Sequence, residues 1–194
     1  MKFDKILIYG SSYLSAITCD LLRHHYDVVG YIPSSKPTIA GEMNIPRVYE
    51  EIEHDIKLSL QYDKKLVDIE NAFNVHTGLL PQWGGTDILY HTLQEEAIEQ
   101  GLTFHKMTNK FDYGAIISKI SYPVFKTDSM VDLYEKMTLC FPNFVLSSLR
   151  ILESIEDIGK CQIEKPRLFK RGNINSSDTE LYKNTLIELK EKYE

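Results

Sequence analysis

Cysteine is scarce: Cys19, Cys140 and Cys161 are the only three in 194 residues, an odd number with no C-x-x-C spacing. That argues against a disulfide framework and against a cysteine-built zinc site, and suits a reducing cytoplasm. Although 43% of the residues are apolar, no run approaches the roughly 18 that a membrane-spanning helix needs. The opening stretch MKFDKILIYG enters directly into a strand-like run and lacks the apolar core and small-residue cleavage site of a secretory leader. Positive charge is in short supply, with 22 Lys and Arg against 28 Asp and Glu and a net charge of -6. Nucleic-acid binding draws most of its affinity from Lys and Arg on phosphates, so such a partner is disfavoured. The pattern Gly-x-Gly-x-x-Gly is missing too, which removes a dinucleotide fingerprint.

What remains reads as one α/β domain with a sizeable core. The apolar run Lys5 to Tyr9 ends at Gly10, a helical pattern follows from Tyr13 to His25, and the β-rich stretch Asp27 to Ile32 closes at Pro33. Strand, turn, helix and strand in that order open a parallel sheet. Ser34 to Pro46, rich in Ser, Pro and Gly, reads as an exposed connection. Further strands are expected over Asp55 to Leu60, Ala72 to Val75, Leu102 to Met107 and Ala115 to Tyr122. Helices are expected over Thr86 to Gln100 and, long and amphipathic, over Asp128 to Glu153. The tail carries the only basic cluster, Lys165 to Gly172 (KPRLFKRG), and then a charged helical pattern over 173–194; a solvated end packing one apolar stripe is the first reading, with a substrate contact by the basic stretch as the alternative.

The densest chemistry lies between Phe73 and Lys119. Asn74 and His76 stand two residues apart at a strand end, and alternate residues of a strand project to one face. An uncharged amide donor and an imidazole therefore point together at one small reacting group. That is an arrangement for acyl transfer without a covalent nucleophile. Asn74 can donate to a developing oxyanion without titrating, and His76 can donate to it and later relay a proton.

Asn-x-His-x-x-Leu-Leu-Pro from Asn74, Gly-Leu-Thr-x-His from Gly101 and Asp-x-Gly-x-Ile-Ile from Asp112 together resemble the catalytic core of the 10-formyltetrahydrofolate-dependent formyltransferases. The likeness is dense over about a quarter of the chain, and the sugar N-formyltransferase branch is nearest. It implies a Rossmann-like, mostly parallel sheet flanked by helices, with Asn74, His76 and Asp112 on the three catalytic positions. Asp112 would hold His76 charged and orient a water that removes the amine proton. His105 is either a core histidine or a support for that group.

The resemblance further implies 10-formyltetrahydrofolate as formyl donor, held mainly by backbone in two loops. Leu58, Leu60, Gln61 and Tyr62 represent one, and Thr108, Phe111 and Gly114 the other. A cis peptide at Leu80–Pro81 belongs to the same expectation. The turn Gly10, Ser11, Ser12 and Tyr13 would meet the acceptor, unless Ser12 serves only as a helix cap. Trp83, Gly84 and Tyr90 complete the acceptor pocket, with core packing as the alternative for the aromatics. Thr77, Gly84 and Tyr113 depart from the family pattern, which bears on the acceptor more than on the reaction.

The acceptor is then a small-molecule amine, first of all the amino group of a nucleotide-linked amino sugar. Glycinamide ribonucleotide is the main rival. Methionyl-tRNA is less favoured, because those relatives carry a basic C-terminal domain for which 194 residues leave no room. A non-catalytic folate-binding module of the same fold is the alternative from a different class. Neither a membrane, a nucleic acid nor a metal enters this reading, and a homodimer is compatible with it.

Overall fold

The computed structural model describes residues 1–35, 43–159, 162 and 164–170. Four parallel strands form two thirds of its six-stranded main sheet: β1 (Lys5–Tyr9), β2 (Asp27–Ile32), β3 (Ile56–Leu60) and β4 (Ala72–His76). The edge is extended by β6 (Glu99–Lys106), antiparallel to β4, and β7 (Ile116–Pro123), antiparallel to β6, giving the order β2-β1-β3-β4-β6-β7. A second, two-stranded sheet joins β5 (Gly84–Gly85) to β8 (Leu168–Phe169). The mostly parallel α/β sheet expected from sequence is therefore present.

Among the described residues three helices accompany it: α1 (Tyr13–Leu22), α2 (Ile88–Gln94) and α3 (Met130–Ser154). Ser12 caps α1 through a reciprocal pair with Ser15, and Ser129 caps α3 in the same way with Asp132. Such boxes satisfy amide donors that the first helical turn leaves open. Along α3 the buried Leu133, Met137, Phe141, Phe144, Val145, Leu149 and Leu152 recur at spacings of three and four, the signature of a helix with one apolar face.

The two faces of the sheet differ. Ile6 and Ile8, Leu58 and Leu60, Phe73 and Val75, and Leu102 and Phe104 pack with residues of all three helices into the main core. The alternate residues Leu7, Tyr9 and Ala72 form a smaller cluster with Leu66, covered by loop residues such as Val48, Tyr62 and Ile69. So the helices lie on one face, and the other is roofed by loops. On that roofed face the buried Lys57 is held by Glu51 at 3.1 Å and by Asp68. Asn74, His76, Thr103 and His105 share the roofed face, because strand alternation puts them opposite Phe73, Val75, Leu102 and Phe104.

Several boundaries depart from the sequence expectation. The helix expected over Thr86 to Gln100 is confined to Ile88–Gln94, since Asp87 and Glu96 bracket it in left-handed conformations with φ of 55° and 48°. Glu99 and Gln100 instead begin β6, paired with Pro123 and Tyr122. The first helix stops at Leu22 rather than His25. The expected tail helix over 173–194 lies outside the described residues, as does 36–42 of the connection after β2. The basic stretch is not merely a solvated end: Leu168 and Phe169 pair with Gly84 and Gly85.

Candidate active site

Antiparallel pairing of β4 with β6 sets Asn74 opposite His105 and His76 opposite Thr103. The register of β6 against β7 slips between Phe104 and His105. A local irregularity of this kind re-aims side chains and is common beside functional sites. Asp112 arrives from the loop between β6 and β7 in a left-handed conformation, φ 54°, one that Asp tolerates better than most residues. Its Oδ1 lies 3.6 Å from Nδ1 of His76 and 3.8 Å from Nε2 of His105, while its Oδ2 accepts from the Gly85 amide at 2.8 Å. Asn74, His76 and Asp112 are thus neighbours, within the reach that a shared water or substrate atom would span.

The two histidines have different surroundings. Nδ1 of His105 lies 3.0 Å from the Lys106 carbonyl, which can only accept, so Nδ1 carries the proton. Nε2 of His105 is then the acceptor for the Asn74 amide group at 3.2 Å. This fixes the orientation of the Asn74 amide and leaves its second N–H for another acceptor. Burial pushes the His105 pKa down to about 4; Asp112 opposes that shift and His76 adds to it. His76 donates from Nε2 to the Trp83 carbonyl at 2.6 Å and faces Asp112 with Nδ1.

A consequence for stability follows from His105. Its folded pKa lies below the ordinary histidine value near 6.5, so the unfolded chain binds the extra proton first. Stability is expected to be full above about pH 6.5 and to fall as pH drops toward 4. Urea unfolding of the wild type and of His105→Gln across that range checks this, since the variant should have a flatter profile.

The loop after His76 is held by side chains of β6. Thr103 accepts from the Leu80 amide at 3.0 Å and donates to the Gly78 carbonyl at 2.7 Å. Gln100 accepts from the Leu79 amide and donates to Thr92. The Leu80–Pro81 peptide is cis, as the resemblance implied. Glycine is required at Gly114, where a Cβ would stand 1.5 Å from the Lys106 carbonyl oxygen. Beside this loop a cleft of about 440 Å³ is lined by Pro81, Gln82, Trp83, Glu164, Lys165 and Arg167.

Other residues singled out from sequence fall in varied places. Leu58 and Leu60 are wholly buried in the helix-side core. Their side chains face the core, as strand alternation explains, so any part they have in holding the donor falls to their backbone, as the resemblance implied. Gln61 takes a left-handed turn at φ 56°, Tyr62 packs edge-on against Tyr9, and Phe111 is 70% exposed. Thr108 donates to the Lys110 carbonyl. Gly10, at φ 135°, allows the first turn to approach the Leu60 carbonyl, and Ser11 accepts from the Ser34 amide. Ser12 is occupied as the α1 cap, the alternative foreseen for it, and Tyr13 is the first residue of α1. Register puts Tyr9 beside Ser59 and Ser59 beside Asn74. The first turn is thus two strands, about 10 Å, from Asn74. Trp83 stacks on Phe169 with centroids 5.1 Å apart, and Tyr90 lies edge-on to His91.

Sequence reasoning missed the Trp83 carbonyl, the Gly85 amide and Gln162, whose Nε2 donates to the carbonyls of Asp112 at 2.7 Å and Gly114 at 2.9 Å. Backbone groups leave no residue signature. Gln162 stands far from the motif, and only the apolar pair Leu168–Phe169 amid charges hinted that the tail returns.

Residues 64–145 match the formyl transferase family. A methionyl-tRNA formyltransferase of Enterococcus faecalis is 32% identical over 98 residues, 50% of this chain but only 31% of that protein. The matched part of the chain thus spans about a third of that relative's length. An N-formyltransferase from Helicobacter canadensis, solved with folinic acid and dTDP-3-aminofucose, superposes with a TM-score of 0.72 at 23% identity, covering 89% of this chain and 72% of that one. Phosphoribosylglycinamide formyltransferase from Bacillus halodurans gives 0.68 at 17% identity, covering 79% and 97%. At such identities these likenesses establish the fold.

Proposed function

We propose that this chain, whose residues 64–145 match the formyl transferase family, transfers a formyl group from 10-formyltetrahydrofolate to the primary amine of a nucleotide-linked amino sugar. The observation that carries the reading is the meeting of an amide donor, an imidazole and a carboxylate on the loop-roofed sheet face. In the reaction the amine nitrogen bonds to the formyl carbon, the bond from that carbon to the folate nitrogen breaks, one amine proton leaves, and the folate nitrogen takes up a proton in its place. The folate supplies the formyl carbon and a nitrogen leaving group.

Each residue has a role that its surroundings permit. Asn74, with its amide oriented by His105, offers its second N–H to the oxygen on which negative charge grows. His76 offers a ring N–H to the same oxygen by exchanging its bond to the Trp83 carbonyl. Asp112 faces both imidazoles and receives the amine proton, directly or through water. The donor set suits a small oxyanion, being two uncharged or titratable N–H groups beside a single carboxylate. Gln61, Tyr62, Thr108, Phe111 and Gly114 are proposed to border the folate, with Trp83, Gly84, Tyr90 and the Gly10–Tyr13 turn toward the acceptor.

One observation favours an amino sugar nucleotide over glycinamide ribonucleotide, which carries no base: Trp83 sits beside the cleft with an aromatic surface suited to stacking on one. The net charge of -6 disfavours tRNA. Purified protein with 10-formyltetrahydrofolate is expected to release tetrahydrofolate when a dTDP-linked amino sugar is added and not when glycinamide ribonucleotide is added. Turnover with glycinamide ribonucleotide alone would move the reading to purine synthesis.

A further inference from the structure

Catalytic groups on loops need support from elsewhere, and here the support comes from the chain beyond α3. Trp83 and Gly85 flank Gly84 in one short loop. The Trp83 carbonyl accepts from His76, and the Gly85 amide donates to Asp112. The stretch from Pro81 to His91, which contains this loop, is bonded to the returning segment at four points. The Gly84 amide donates to the Arg167 carbonyl at 3.0 Å, Thr86 to Phe169 at 3.1 Å, Arg167 to Pro81 at 2.9 Å, and the His91 ring to the Lys170 carbonyl at 2.9 Å. A few residues upstream, Gln162 grips the Asp112 loop by two carbonyls.

Two-residue strands such as β5 and β8 are too short to hold themselves together in water. Side chains must supply the rest. Phe169 is at the centre: Trp83 stacks on it at an interplanar angle of 9°, His91 lies 4.6 Å away, and the Arg167 guanidinium lies 4.3 Å over its ring. Arg167 is itself forked onto Glu95 beyond the end of α2. Gly85 has to be glycine for this approach, since its φ is 100° and a Cβ would meet the Phe169 carbonyl at 2.1 Å.

We propose that Gln162 and residues 164–170 form a positioning clamp that holds His76 and Asp112 in register, with Phe169 acting through the Trp83–Gly85 loop and Gln162 through the Asp112 loop. Neither residue touches the reacting atoms. Both determine where the groups that do so stand. The kinetic part of the proposal rests on the formyl-transfer reading; the geometric part does not.

The test uses the full chain and follows the His76 ring N–H by nitrogen–proton correlation, assigned by its loss in His76→Gln. In the wild type this N–H is hydrogen-bonded to the Trp83 carbonyl and should be slow to exchange with water. Phe169→Ala should move the signal and speed its exchange, and Phe169→Tyr should restore it. In parallel, Phe169→Ala should lower kcat by about a hundredfold, the usual cost of misplacing a catalytic group by about 1 Å, with donor KM changed by less than about threefold. Should Phe169→Ala fail to fold, Gln162→Leu tests the other half, with the same His76 signal and the pH dependence of kcat as readouts. An unmoved His76 signal and wild-type kcat in a folded Phe169→Ala or Gln162→Leu protein would overturn the clamp. If the wild type lacks transferase activity, the exchange measurement still decides the clamp, and the formyl-transfer reading alone fails.

Discussion

Asp112→Asn is expected to lower kcat by a hundredfold to ten-thousandfold, the range that general acid–base groups contribute, while leaving folding and donor affinity nearly unchanged. The amide occupies the same space, and its oxygen can still accept from the Gly85 amide as Oδ2 does now. What it cannot do is take up the amine proton, or set a negative charge between the two imidazoles 3.6 and 3.8 Å away. Initial rates over acceptor and donor concentration, with donor binding by calorimetry, separate these effects. A variant that turned over at the wild-type rate would reduce Asp112 to a loop residue.

Asn74→Ala is expected to cost about a hundredfold to a thousandfold in kcat, the loss typical of one oxyanion donor. It also leaves Nε2 of the buried His105 without the partner that now lies at 3.2 Å. Unmet buried acceptors cost about 1–3 kcal/mol, so a modest loss of stability should accompany the loss of rate. Asn74→Asp, a carboxylate that can only accept, leaves Nε2 without a donor as well. It fills the space yet presents negative charge to the oxyanion, so its rate should fall at least as far. A rate within a factor of a few of wild type for both variants would remove Asn74 from the chemistry.

Much of this site could be read from the chain because strand alternation is a local rule. Asn74 and His76 had to share a face wherever β4 lay, and Asp112 was attached to them through the family motif. The strands themselves were legible for a similar reason: β2 was expected at Asp27 to Ile32 and is found there, since its β-rich residues end at a proline. Less legible were features that depend on distant partners. Glu99 and Gln100 read as the end of a helix, but pairing with β7 and the bonds of Gln100 to Leu79 and Thr92 make them strand. Leu58 and Leu60 were assigned to the donor by loop position and backbone, and that their side chains pack in the core beside Phe73 and Val75 became clear only from the sheet. His105 remained open between core and support until its register opposite Asn74 was known. The return of the basic stretch onto Gly84 and Gly85 depends on backbone bonds over some eighty positions, which composition cannot report.

The central claim is that this triad moves a formyl group from a folate to an amine. Its most direct test is to follow the formyl carbon itself. The wild-type chain is incubated with 10-formyltetrahydrofolate labelled with carbon-13 in the formyl group and a dTDP-linked amino sugar, and the carbon is tracked by NMR. The expected result is transfer of the labelled carbon into an amide on the sugar, at a rate that collapses in Asp112→Asn. Label that stays on the folate with every amine offered, although the folate is bound, would contradict the claim and leave a binding module in its place.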